Sequence, residues 1–136
     1  FDGNVLKIKN KELLMDLCAL TRLLEDLKNG ENYLKDTMGV TFKEAVMLCA
    51  IDKGFSEPAK LAKQMNLSPS RASRLISSLE MKNLTTRKTS SKDKRIIILN
   101  LSKKGRVLID EIHNTVLPFP QYLLDTLDQI HSEEVE

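Results

Sequence analysis

The sequence is poor in the residues that several binding chemistries require. Tryptophan is absent, and four Phe and two Tyr make up only 4% of the 136 residues. Proteins that grip single-stranded nucleic acid by stacking bases on aromatic rings need more rings than this, set near their basic residues. Two cysteines, Cys18 and Cys49, are too few for a disulfide-stapled fold and lack metal-ligand spacing. Both lie beside leucines and read as buried, inert thiols. The five glycines are scattered singly, so no phosphate-cradling glycine loop is present. No apolar run approaches the roughly 20 residues of a membrane helix, so no membrane partner is expected. No secretory signal opens the chain, and a reducing cytoplasm is the expected compartment. The opening Phe1, in place of a Met, points to a missing native start.

Catalytic patterns are equally sparse. Ser91-Lys92-Asp93-Lys94 fits a Ser-x-x-Lys spacing, but on a polar stretch with nothing to exclude water. His113 and His131 stand in acidic surroundings without metal-ligand companions. The expectation is a protein that is no enzyme and holds no cofactor or metal.

What the chain does have is charge, unevenly placed. Its net charge is only +2. Residues 60–106 nevertheless hold 13 Lys and Arg against two acids, Glu80 and Asp93, a local charge of +11. Residues 1–59 carry −2, and residues 107–136 hold seven acids and no Lys or Arg. A basic block of this size in a structured region is the electrostatic signature of a polyanion binder.

Periodicity and caps divide the chain into helices and one hairpin. Leucines at three- and four-residue steps from Leu13 to Leu27 predict an amphipathic helix over 9–28. Asn29-Gly30 is expected to stop or bend it, with a short helix over 31–38. Thr41 and Glu44 form a capping box for a second helix that Gly54 ends. Ser56 opens a short third helix over 57–65 with Pro58 in its first turn, and Asn66-Leu67 makes a tight turn. Ser68 caps a fourth helix, with Pro69 at its first position, that runs to about Lys82. Asn83 reads as a left-handed cap. Residues 85–89 and 96–101 read as two strands around a polar tip. Ser102 caps a helix carrying Val107 to Val116, Pro118 and Pro120 break it, and a last helix carries Tyr122 to Ile130.

Two short helices, a tight turn and a hairpin make a winged helix-turn-helix. On the helix after Ser68, an apolar side of Ala72, Leu75, Ile76 and Leu79 opposes Ser70, Ser73, Arg74 and Ser77, with Arg71 and Ser78 at the edge. Small hydroxyls allow close backbone approach, and Arg is the commonest reader of guanine in a major groove. The helix N-terminus capped by Ser68 suits a phosphate. At the hairpin tip, Lys92, Lys94 and Arg95 surround Asp93. An Arg is drawn into a narrow minor groove, and Asp93 makes sense as the group that orients it. Lys88, on the first strand, joins the same expected interface.

Residues 41–105 resemble the winged-helix core of the MarR family of bacterial transcription regulators. The resemblance rests on Leu61-Ala62-Lys63-Gln64-Met65, on the run from Ser70 to Glu80, on Asn83-Leu84-Thr85-Thr86-Arg87, on Asp93-Lys94-Arg95 and on Leu101-Ser102-Lys103-Lys104-Gly105. The chain departs from the family pattern at Asn83, where Gly is usual, and in lacking a wing Pro. The resemblance implies that Ser70, Arg71, Ser73 and Arg74 face the major groove, that Asp93 and Arg95 form the wing tip, and that flanking helices build a dimer. It also implies release from DNA by a small aromatic ligand, which nothing in the sequence identifies. Tyr33, Phe42 and Phe55 could line a pocket but read as core.

The expected fold is therefore mainly α with a small β-hairpin wing. The expected organisation is N-terminal dimerisation helices over 1–38, a DNA-binding winged helix-turn-helix over 39–105 and C-terminal dimerisation helices over 106–136. The leucine stripe at 13–27 and the apolar residues from Val116 to Ile130 exceed what a small core needs. The function read from this is a sequence-specific double-stranded DNA-binding regulator, a repressor, acting as a homodimer on a near-palindromic operator. The competing reading is a winged-helix adaptor that grips an acidic protein partner.

Overall fold

Three helices begin where a side chain takes up a free N–H group, and three end on the same left-handed device. In the computed structural model, which describes residues 13–135, the order is α1 (Leu13–Met38), α2 (Phe42–Asp52), α3 (Pro58–Gln64), α4 (Pro69–Met81), β1 (Thr85–Thr89), β2 (Ile97–Leu101), α5 (Lys103–His113) and α6 (Gln121–Val135). Residues 9–12 of the predicted first helix lie outside the described residues.

The chain forms two compact units, one of residues 34–116 and one of residues 1–33 with 117–136. In the first, Thr41 and Glu44 close a reciprocal capping box on α2. Ser68 caps α4 by accepting from Arg71 N at 3.2 Å. Ser102 caps α5 by accepting from Gly105 N at 2.9 Å. The exits from α2, α3 and α4 are Schellman turns. Gly54, Asn66 and Asn83 sit at φ of 105°, 53° and 61°. The N–H groups of Phe55, Leu67 and Leu84 reach back to the carbonyls of Ala50, Ala62 and Leu79 at 2.8–3.0 Å. The two Asn-Leu pairs thus close the two helices of the helix-turn-helix in one way.

β1 and β2 pair antiparallel, with Thr85 opposite Leu101 and Thr89 opposite Ile97. Met47, Leu48, Leu61, Leu79, Leu99 and Val40 are wholly buried and bind α2, α3, α4 and β2 into one core. Leu99 N also donates to Ser56 O at 2.8 Å, which ties the entry to α3 onto the wing. Ser56 lies one residue before the N-cap position of α3. Glu57 occupies the N-cap of α3 and its side chain makes no capping bond.

In the other unit, α1 runs through Asn29-Gly30 without interruption. The expected break fails because Gly30 is packed: a Cβ there would collide with the Phe119 ring. A helical glycine costs roughly 1 kcal/mol against alanine, and close seating of an aromatic ring offsets that. Tyr122 donates its hydroxyl to Asp26, which joins α6 to α1 and raises the phenol pKa. α5 ends at His113, ahead of Val116, which is 87% exposed. Cys18 is exposed on α1, against the expectation of burial. Cys49 is half-buried, and burial followed by the Asp52 charge pushes its thiol pKa up. Tyr33 is 41% exposed rather than core, whereas Phe42 and Phe55 are half-buried. Among the described residues no helix is long and apolar enough to cross a membrane, and no cluster of three His, Cys, Asp or Glu side chains gathers.

Candidate nucleic-acid interface

Helix α4 separates its two faces cleanly. Ala72, Ile76 and Leu79 are buried and Leu75 is half-buried. Ser70, Arg71, Ser73, Arg74 and Ser77 are all exposed, together with the cap Ser68. The Ser68 and Ser70 hydroxyls lie 3.3 Å apart at the helix start. Among the described residues, neither Arg71 nor Arg74 is held in an ion pair. Their guanidinium groups are therefore free to meet a polyanion without first breaking an internal contact. A groove of about 500 Å³ runs along this face, lined by Ser73, Arg74, Ser77, Ser78, Met81 and Lys82.

What fixes α4 was not apparent from sequence. Glu44, the capping residue of α2, is 2% exposed. One carboxylate oxygen accepts from Thr41 N at 2.9 Å and from Lys82 Nζ at 2.8 Å. The other accepts from the Ser78 hydroxyl at 2.7 Å. Lys82 also donates to Gly39 O at 2.9 Å. Burial pushes the Glu44 carboxyl pKa up, but the hydrogen bonds from Lys82, Ser78 and Thr41 outweigh it, and the net shift is downward. The capping box flags Glu44 in the sequence, but its partners, Ser78 on α4 and Lys82 at its C-cap, lie 34 and 38 residues further on. Ser78 is accordingly turned toward α2 rather than outward.

A second clasp joins α4 to the wing. Arg87 on β1 grips both carboxylate oxygens of Glu80, one of them through Nε at 2.9 Å. That pairing lowers the Glu80 pKa and raises that of Arg87.

The wing tip is ordered by one acid. Asp93 Oδ1 accepts from Arg95 N at 3.0 Å and Arg95 Nε at 3.1 Å, and Oδ2 accepts from Arg95 Nη2 at 3.2 Å. The fork holds the Arg95 guanidinium, whose side chain is still 90% exposed. The Arg95 side chain and backbone hydrogen bonds also lower the Asp93 pKa. Ser90 N donates to Ile96 O at 2.8 Å and Lys92 N to the Ser90 hydroxyl at 3.2 Å, closing the turn. Lys88, Lys92 and Lys94 are exposed. The predicted site residues thus fall on two places, the outer face of α4 and the hairpin, with Lys88 on β1.

Residues 30–112 match the family model described as transcriptional regulator SarA/Rot. A curated relative, the HTH-type transcriptional repressor MdtR of Bacillus subtilis (strain 168), is 31% identical over 103 residues. That match covers 74% of this chain and 66% of the relative, so the chain spans just under two thirds of its length. Among solved structures, apo wild-type MarR from E. coli superposes with a TM-score of 0.66 at 17% identity, covering 96% of this chain and all of that one. A mutant MarR from E. coli complexed with operator DNA gives 0.62 at 18% identity, covering 91% and 99%. These structures share the fold: mainly helical, with a two-stranded antiparallel wing.

Proposed function

Since the chain belongs to the SarA/Rot family of transcriptional regulators, with the winged-helix fold of MarR-type regulators and no enzymatic activity, we propose how it engages its target. It binds double-stranded DNA as a homodimer, α4 in the major groove and the wing in the minor groove, and acts as a repressor in the cytoplasm. The observation that carries this reading is the outer face of α4. Five exposed residues, Ser70, Arg71, Ser73, Arg74 and Ser77, are presented on a capped helix with both arginines outside any ion pair among the described residues.

In this reading Ser68 and Ser70 meet a phosphate at the helix start, Arg71 and Arg74 reach base edges or phosphates, and Ser73 and Ser77 permit close approach. Arg95, held by Asp93, enters the minor groove, while Lys88, Lys92 and Lys94 face the backbone. The flanking segments, residues 1–38 and 106–136, form the dimer. The operator is near-palindromic, with half-sites roughly 34–36 Å apart. A small-molecule effector has room in a cleft of about 500 Å³ lined by Pro58, Ala62, Ile76 and Arg87 among others.

The test is a gel-shift titration against random genomic fragments, followed by mapping of the protected bases. Retention that weakens steeply with salt, with protection on two symmetric half-sites, supports the reading. Retention of no fragment even at low salt defeats it. Replacing Arg74 with Ala weakens binding; a relaxed sequence preference marks Arg74 as a base contact, and a loss uniform across sequences marks it as a phosphate contact.

A further inference from the structure

Lys43 stands one residue before the buried Glu44, on the first turn of α2, and is exposed. With Arg71 and Arg74 of α4 it lines a groove of about 260 Å³, completed by Leu67, Leu75 and Ser78. No acid lines that groove. Glu44, adjacent in sequence, is buried and already occupied by Thr41, Ser78 and Lys82. The Ser78 hydroxyl is likewise spent on Glu44 at 2.7 Å. Among the described residues, none of the three cations has an ion-pair partner. The result is a concave, apolar-floored site with three positive charges and nothing to neutralise them.

We propose that this groove takes one backbone phosphate of the DNA duplex, and that Lys43 is a phosphate-contacting residue that extends the interface from α4 onto α2. The inference rests on the DNA-binding reading above. Three unneutralised cations around one small concavity match a single compact anion better than a base edge. An ammonium on a flexible stem serves as a point charge without the directional fork that reads guanine. The Glu44 clasp has a role in this arrangement: it pairs the neighbouring carboxylate with Lys82 and fixes the first turn of α2 beside α4.

The test is the salt dependence of DNA affinity, for operator and for random duplex, with wild type, Lys43→Ala and Lys43→Arg. Each neutralised phosphate adds about 0.9 to the slope of log K against log salt. Lys43→Ala is expected to lower that slope by about 0.9 per protomer, equally on both DNAs, and Lys43→Arg to restore it. Thermal melting should be unchanged, since Lys43 is an exposed helical residue. A Lys43→Ala slope equal to that of wild type overturns the inference while leaving the DNA reading intact. So does a loss confined to one sequence, which means a base contact. Wild-type protein that binds no DNA overturns both. Inorganic phosphate is added at matched ionic strength in a further arm. If it competes with DNA for wild type but not for Lys43→Ala, the groove is a phosphate site. If it lowers both affinities alike, the groove is not one.

Discussion

Glu44 carries its charge inside the protein, and that sets how it must be tested. A buried carboxylate without partners is costly, but this one accepts from a backbone N–H, a hydroxyl and an ammonium. Its folded pKa lies below the ordinary value. A lowered carboxylate pKa adds stability that is complete above the unfolded value, about pH 4.3, and lost as pH falls through the lower folded value. Glu44→Gln should therefore cost about 1–3 kcal/mol at pH 7, read from urea midpoints. The gap to wild type should narrow as the pH falls below the unfolded value and through the lower folded one. A gap that is constant with pH would show that the charge contributes nothing. The wing offers a second residue-scale test. Replacing Arg95 with Ala should weaken DNA binding by roughly 1–3 kcal/mol, measured by anisotropy, with the dimer intact. Asp93→Asn should cost less, since it leaves Arg95 charged but unoriented; unchanged affinity for Arg95→Ala removes the minor-groove role. The Asp93–Arg95 fork was legible in the sequence because the two residues are two apart. The Glu44 clasp was not, because only the tertiary fold brings α4 to the start of α2.

At the scale of elements, local chemistry marks most boundaries. Thr41, Ser68 and Ser102 cap as their types require, and Asn83 adopts the left-handed conformation expected of it. The strand over 85–89 is bounded as predicted, while Ile96 stays in the turn, where its N–H is bound by Asp93 O at 3.0 Å. The misread break in α1 has a packing cause. Gly30 was expected to break α1 by its propensity, and its fit against Phe119 decided otherwise. Gly105 shows the same competition with a testable sign. It lies in the first turn of α5, and a Cβ there would run into the carbonyl of Leu84. That carbonyl already accepts from Ser102 N at 3.0 Å, and Ser102 donates to Asn83 O at 2.6 Å, so the joint between α4, β1 and α5 cannot move freely. Propensity alone favours alanine by up to about 1 kcal/mol. Overpacking a fixed backbone costs about 1–3 kcal/mol. Gly105→Ala should thus lower the melting temperature by several degrees, whereas a raised one would show that the joint yields.

For the molecule as a whole, charge and apolar surface divide along the two compact units. Residues 34–116 carry +8 and the remaining residues −6, which together make the near-neutral total. The sequence showed the basic block at 60–106 between acidic flanks because charge needs no tertiary knowledge to count, whereas the unit boundaries come from the fold. It could not show which leucines a single chain leaves uncovered. Leu13, Leu14, Leu17, Leu20, Leu24 and Leu27 of α1 are each 40–75% exposed, as are Leu127 and Ile130 of α6 at 44%. Apolar surface on this scale in a monomer calls for a partner, and a second copy supplies the same surface by symmetry. Leu24, at 67% exposure, separates the two possibilities. If the stripe is free in solution, Leu24→Glu changes little, because exposed substitutions usually stay within about 0.5 kcal/mol. If it is the dimer seam, the variant buries a carboxylate against its twin. Sedimentation equilibrium at micromolar concentration should then give a dimeric mass for wild type and a monomeric mass for Leu24→Glu. Operator affinity should fall on the order of 100-fold, because the second half-site contact is no longer intramolecular. Binding to a single half-site should be nearly unaffected. A wild type that sediments as a monomer would refute the dimer, and a Leu24→Glu variant that keeps the dimeric mass would place the seam elsewhere.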